Sequence, residues 1–185
     1  MTTTTATGRP GRPGQVRQVS LPADARGLST LERVDYEDAF VVDAGGRRLT
    51  AEQWVRAVFD DAPLAVRARL VSGWVGLGLK LGGPASARRV LGWKVEQSSP
   101  SVVLLAANSV VGLQAELLFR TEPRGLLFAT LVQQNNSAAR AVWVRITPTH
   151  QKVVRSLLEH AARREAGRSP AKGVMTARTR DSNLT

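Results

Sequence analysis

Residues 102–135 read VVLLAANSVVGLQAELLFRTEPRGLLFATLVQQN, and three neighbouring β-strands are predicted here. The first, 102–111, is almost continuously apolar, as is typical of a strand buried on both faces. In the second, Leu117 and Phe119 alternate with polar residues, which is the pattern of a half-buried strand. A short turn containing proline and glycine leads to the third strand at 126–135. Because the connections are short, these strands are expected to pair antiparallel.

Two further strands extend this meander in both directions. Upstream, Leu91, Trp93 and Gln97 share one face of a strand by the two-residue period. Downstream, residues 139–147 alternate in the same way and are predicted to form the last strand. The region from 90 to 147 therefore predicts five antiparallel strands.

A separate strand is predicted earlier in the chain, at residues 34–43. The side chains of Tyr36, Asp38 and Phe40 fall on one of its faces. Together with the meander, this strand gives a sheet of about six strands.

Three helices are predicted around the strands. Thr50 and Gln53 form a capping box at the start of the first, and a second begins at residue 63. The third begins at residues 147–148 and carries Leu157 on an apolar stripe. Since a long apolar stripe needs a large partner, the last helix is expected to lie on the sheet.

The two ends of the chain differ in composition from the middle. Residues 1–20 and 166–185 hold few large apolar side chains, so burial cannot offset the entropy lost on ordering them. They are predicted to be a disordered basic arm and a flexible basic tail on one domain at 21–165. Of the net charge of +11, seven charges lie in residues 1–20 and 162–185. Weak electrostatic contact of the ends with anionic polymers or membranes is therefore expected.

Composition excludes several classes of protein. The absence of cysteine excludes disulfides, zinc ribbons and thiol nucleophiles, and with two histidines no metal or cofactor is expected. No run approaches 18 apolar residues and no apolar signal core is seen, so a cytoplasmic protein is expected. Arginine outnumbers lysine 22 to 4, which is explained either by a GC-rich genome or by selection for phosphate binding.

The predicted order is one strand, two helices, five strands and a long C-terminal helix. With the segments DYEDAF at 35–40 and TPTH at 147–150, this order resembles the helix-grip fold of the START-like and polyketide-cyclase-like (SRPBCC) superfamily, and more narrowly a group of such proteins in high-GC bacteria. The resemblance covers about residues 30–165. It implies an α+β fold in which a curved antiparallel sheet wraps the long helix around an apolar cavity. It also implies binding of a lipid, polyketide or other hydrophobic small molecule there.

The phases of the predicted strands and helices select the residues that would border this cavity. The candidate ligand-binding side chains are Tyr36, Asp38, Trp74, Leu91, Trp93, Gln97, Leu117, Phe119, His150 and Leu157. Asp38, on an apolar face, needs a partner, which is either a ligand or an arginine such as Arg140 or Arg145. Gln97 and Asn108 either supply further polar points inside the cavity or are satisfied at the strand ends.

Three functions remain open. The first is non-catalytic binding of a hydrophobic small molecule between the sheet and the last helix. The second is a cyclase- or dehydratase-type enzyme with His150, Asp38 or Tyr36 as acid or base. The third is an interaction protein whose basic ends touch nucleic acid or an anionic membrane. Contact between Asp38 and His150 inside a polar cavity would favour the enzyme, whereas wide separation would favour simple binding.

Overall fold

The computed structural model describes residues 14–83 and 89–167. In chain order, their elements are β1 (Val16–Val19), α1 (Ala23–Arg26), β2 (Tyr36–Asp43), α2 (Ala51–Val55), α3 (Leu64–Gly76), β3 (Arg89–Val90), β4 (Trp93–Ser98), β5 (Val102–Asn108), β6 (Leu113–Glu122), β7 (Gly125–Gln134) and α4 (Ser137–Gly167). A π-helical turn, Arg56–Asp60, continues α2. The predicted α+β class is confirmed.

The strands form one antiparallel sheet in the order β1–β2–β7–β6–β5–β4–β3. Strands β3 to β7 follow each other as a meander, of which β4 to β7 correspond to the first four strands of the predicted meander, and β2 pairs with β7 along eight residues. The predicted count of six strands is wrong, because the described residues contain seven. The difference arises because the two edge strands of the sheet, β1 and the short β3, were missed, and because the strand predicted at residues 139–147 is helical.

Strand β1 lies in the segment that was predicted to be a disordered arm. Val16 pairs with Val42 of β2 and is buried in the main core. Without β1, the backbone N–H and C=O groups at the outer edge of β2 would be unpaired. Even a polar segment therefore gains hydrogen bonds when it pairs with this edge as a strand. The rest of the arm at 1–13 and the tail at 168–185 lie outside the described residues. The predicted contacts of these ends with anionic polymers or membranes therefore stay predictions.

Residues 139–147 are the first part of α4, and the strand predicted there is wrong. The β-branched residues of this segment favour a strand by local propensity, but Ala139 and Trp143 are buried at helical spacing against the sheet. The side-chain oxygen of Asn136 accepts a hydrogen bond of 2.7 Å from the backbone N–H of Ala139, which caps the helix at its true start.

Pro148 consequently lies inside α4 and not in its first turn. A proline there removes one backbone hydrogen bond and crowds the preceding turn. The hydroxyl of Thr147 donates to the backbone carbonyl of Trp143 at 2.7 Å, whereas the carbonyl whose helical N–H partner Pro148 removes is that of Val144. The helix runs on for 19 residues after Pro148, to Gly167.

Both faces of the sheet are covered. One face packs against α2, α3 and α4 in the main core, and the segment between β1 and β2 covers the other face with a smaller apolar cluster. Buried Glu116 holds this segment, since it accepts hydrogen bonds from the Ser29 hydroxyl and from the backbone N–H and hydroxyl of Thr30. Burial on both faces explains why residues 102–107 are almost continuously apolar.

The two helices after β2 differ in how firmly they are held. The predicted capping box of α2 is confirmed, with the Thr50 hydroxyl accepting from the Gln53 backbone N–H and the Gln53 side chain accepting from the Thr50 N–H. In contrast, α3 contributes only Leu70 as a buried residue. Val66, on the same helix, is exposed.

Candidate functional site

A cluster of polar side chains lies between β2, β7 and α4. Tyr36 and Asp38 come from β2, where the two-residue period places both on the face toward α4. Thr130 of β7 is the direct register partner of Asp38. His150 and Gln151, near the middle of α4, approach the same point from the helix side.

The cluster is joined by hydrogen bonds and one short contact. The Tyr36 hydroxyl donates to Oδ2 of Asp38 at 2.7 Å, and the Gln151 amide donates to the Tyr36 hydroxyl at 3.1 Å. His150 Nε2 forms a hydrogen bond of 3.1 Å with the Thr130 hydroxyl and lies 3.3 Å from the same Oδ2 of Asp38. The carboxylate therefore accepts a hydrogen bond from a phenol and lies against an imidazole.

Among the described residues, the buried carboxylate of the cluster, Asp38, has no arginine or lysine as a partner. The side chain of Asp38 is fully buried, and its second oxygen, Oδ1, has no hydrogen-bond partner. The expectation that an arginine pairs with Asp38 is wrong, because Arg140 and Arg145 are exposed and its contacts are Tyr36 and His150. Burial, followed by the hydrogen bond to Asp38, raises the pKa of Tyr36 well above its ordinary value. Tyr36 therefore keeps its proton at neutral pH and acts as a hydrogen-bond donor.

Aromatic rings close the cluster on one side. The Trp143 ring lies 5.1 Å from the Tyr36 ring and 5.2 Å from the His150 ring, measured between centroids. Its indole N–H is buried without a hydrogen-bond partner. An open groove of about 500 Å³ borders Tyr36, Trp143 and Pro148, so the phenol links this groove to the buried carboxylate.

His150 also lines a small, half-open cavity beneath α3. The cavity has a volume of about 50 Å³, and its walls come from the π-helical turn, α3, β6, β7 and α4. Apart from His150, the lining side chains are apolar, namely Val58, Phe59, Leu70, Trp74, Leu117, Phe128, Val153, Val154, Leu157 and Leu158. A depression of about 520 Å³ between α2 and β4 shares none of these residues and is lined by both acidic and basic groups.

The sequence placed most of the apolar candidates in the right region. Trp74, Leu117 and Leu157 line the cavity, as His150 does. Trp93 and Phe119 are buried in the surrounding core, and Leu91 packs partly buried against it, in the turn between β3 and β4.

Two polar candidates do not face the cavity. Gln97 is exposed, because the pairing of β4 with β5 shifts between Val95 and Gln97, and such a bulge turns the following side chains to the other face. Asn108 is exposed at the end of β5, and its backbone carbonyl accepts from the Lys80 N–H at 2.7 Å. Both side chains are exposed, so neither supplies a polar point inside the cavity.

Sequence reasoning missed Thr130, Gln151 and Trp143 as members of the site. Thr130 stands alone as a polar residue within the apolar run 126–132, and this was the available signal for it. Trp143 was hidden because the first part of α4 was taken for a strand, whereas Gln151 lies in the part that was predicted to be helical and was not singled out there. Among the described residues, no group of three or more His, Asp or Glu side chains is arranged to hold a metal ion.

A scan against protein-family models, a search of curated proteins and a search of solved structures found no match to this chain. In the described part of the chain, no helix is both long enough and apolar enough to cross a bilayer. The chemistry of the site is therefore the basis for assigning a function.

Proposed function

We propose that this protein binds a small, mainly apolar and uncharged molecule beneath α3, with the His150–Asp38 pair as its polar anchor. The observation that carries the proposal is that His150 contacts both the apolar cavity and the buried carboxylate of Asp38. Its ring lines an apolar cavity, while its Nε2 lies 3.3 Å from a buried carboxylate. The helix-grip architecture is part of this proposal, and the order of β2, two helices, five strands and a long last helix supports it.

The charge of the site favours a neutral ligand. A ligand carboxylate beside His150 would approach the buried Asp38, which has no arginine or lysine partner among the described residues to offset the repulsion. A hydroxyl or carbonyl group avoids this cost and can still bond to the imidazole. The apolar walls then bury the rest of the molecule.

The size of the cavity requires a conformational change. About 50 Å³ holds one or two small groups, whereas sites for small molecules usually measure about 300–1,000 Å³. Among the walls, α3 is the natural element to move, because only Leu70 of its 13 residues is buried. Binding should therefore lower the hydrogen-exchange protection of α3 while α4 stays protected.

Calorimetric titration with a series of primary alcohols from butanol to octanol tests the proposal. If each added methylene is buried, the affinity rises about fourfold per methylene, from about 0.8 kcal/mol each. The carboxylic acids of the same chain lengths, ionised at neutral pH, should bind at least about tenfold more weakly because of Asp38.

Two matched variants localise the binding. Leu157→Phe adds volume at the cavity wall and should weaken the binding of every alcohol, whereas Ser156→Phe adds the same ring at an exposed position of the same helix and should leave binding unchanged. An affinity that does not grow with chain length would contradict the proposal, and so would a Leu157→Phe protein that binds like wild type.

Acid–base catalysis is the second candidate, and the direct contact of Asp38 with His150 favours it. A carboxylate that orients an imidazole is the usual arrangement of a general base. The apolar lining of the cavity argues against it, since departure of a hydroxyl group needs a proton donor and Tyr36 holds its proton firmly.

A 3-hydroxyacyl thioester tests this second candidate, because its dehydration gives an enoyl thioester that absorbs in the ultraviolet. Turnover that falls by about 10²–10⁴ in His150→Ala, with binding preserved, would establish catalysis. No turnover, with an affinity change of no more than about 1–2 kcal/mol in His150→Ala, is the result expected of a binding protein.

A further inference from the structure

Helix α3 has a second apolar stripe that faces solvent. Leu70 and Trp74 point toward the core, whereas Leu64, Val71 and Val75, spaced seven and four residues apart, share a different face. Leu64 and Val75 are 78% and 58% exposed. A helix that is apolar on two faces is normally buried on both, so the outer stripe lacks a partner.

The outer stripe continues onto the turn between β5 and β6. The backbone N–H of Gly78 donates to the Val75 carbonyl, and the N–H of Val110 donates to the Gly78 carbonyl at 2.9 Å. Gly78 has a φ of +69°, and a Cβ there would lie 2.7 Å from a Val110 methyl carbon, so glycine allows this close approach. Val110 is 70% exposed beside Val111, which extends the apolar surface at the end of α3.

The charges of this segment differ between its two ends. Asp60 and Asp61 directly precede α3, but no acidic residue occurs from 62 to 95, a stretch that contains all of α3 and the segment after it. Arg69 of α3 and Lys80 after it are exposed. Past the first turn of α3, the charges that its own segment places beside the apolar surface are therefore cationic.

We infer that the outer face of α3 and the turn at Val110–Val111 dock on a bilayer that contains anionic lipids. The apolar side chains enter the boundary between headgroups and acyl chains, and Arg69 and Lys80 meet the anionic headgroups. A second copy of this chain is the competing occupant of this face, and the test below distinguishes it from a bilayer. The inference concerns the outer face of α3 and stands independently of any ligand beneath its inner face.

Co-sedimentation of the full chain with vesicles tests the inference. Binding is expected to vesicles of equal parts phosphatidylcholine and phosphatidylglycerol, and to be more than about tenfold weaker to phosphatidylcholine alone. The double variant Leu64→Ser/Val75→Ser keeps every charge and should bind the anionic vesicles more than about tenfold more weakly than wild type. The control Val144→Ser removes an exposed valine from α4 and should bind like wild type.

Three results would overturn the inference. The first is equal vesicle binding by wild type and the double variant, which would assign the binding to the basic ends of the chain. The second is the absence of wild-type binding to anionic vesicles. The third is a wild-type dimer that the double variant converts to a monomer, since a second copy would then cover this face. Thermal melts of all variants should agree, because the substituted side chains are exposed.

Discussion

Replacement of Leu158 by alanine should destabilise the protein strongly. Leu158 is 1% exposed and lines the cavity beneath α3. The substitution removes three side-chain carbons, and at about 0.8 kcal/mol per methylene the lost transfer free energy is about 2.4 kcal/mol. The new void merges with the existing 50 Å³, so neighbouring side chains cannot easily fill it, and the total loss should reach about 3–5 kcal/mol. Leu157 is half-buried, so Leu157→Ala should cost less, about 1–2 kcal/mol.

Urea unfolding followed by circular dichroism measures both losses. The slope of the free energy against urea should stay unchanged, since neither variant alters the surface exposed on unfolding by much. Benzene should raise the stability of Leu158→Ala more than that of wild type, because the enlarged void can hold it. A loss below about 1 kcal/mol at Leu158, or a larger loss at Leu157 than at Leu158, would refute the packing of α4 described above.

Three further predictions concern other parts of the fold. Pro148→Ala should raise the free energy of unfolding by about 1–3 kcal/mol in the same urea assay, because a proline inside α4 removes a backbone hydrogen bond. A lower free energy of unfolding would contradict this reasoning and show that the proline stabilises the helix at this position. Glu116→Ala should lower it by about 2–5 kcal/mol and speed hydrogen exchange at Thr30, whose hydrogen bonds to Glu116 are lost; an unchanged exchange rate would contradict this role. The backbone N–H of Gln134 lowers the pKa of Asp35, and Arg33 adds to the effect, so the ionised carboxylate stabilises the fold above about pH 4 and this stabilisation is lost as the pH falls further. In Asp35→Asn the free energy of unfolding should therefore fall less steeply below about pH 4 than in wild type. An unchanged pH dependence would contradict this role of Asp35.

Local sequence patterns predicted the elements correctly where the pattern of apolar residues matches the burial found in the structure. The two-residue period of β2 correctly placed Tyr36 and Asp38 on the face toward α4, and the capping box of α2 depends on two residues three positions apart. Strands β5 to β7 could be recognised because their apolar runs are long and separated by clear turns.

Where the sequence prediction failed, tertiary packing had overridden the local sequence pattern. The segment 139–147 has the composition of a strand, yet burial of Trp143 against the sheet makes it helical, and the capping Asn136 was the overlooked local signal. The bulge in β4 that exposes Gln97 depends on how β4 pairs with β5, which no single-strand pattern contains. β1 exists because β2 offers an open edge, and this is a property of the sheet.

The candidate site was predictable only as separate residues. Asp38 and His150 were both singled out, but they are 112 positions apart, and their 3.3 Å contact follows from the packing of α4 on β2. The size of the cavity was not predictable, since it depends on how closely α3 approaches the sheet. The sequence implied a ligand-sized cavity, and the described residues enclose about 50 Å³.

The central claim is that a neutral apolar ligand binds against His150. Nuclear magnetic resonance of the imidazole ring, with the His150 signals assigned by comparison with His150→Phe, tests it most directly during titration with hexanol. We expect the His150 signals to shift and saturate, the His160 signals to stay fixed, and Leu157→Phe to weaken the response. Unmoved His150 signals at hexanol concentrations that shift other core resonances would contradict the claim.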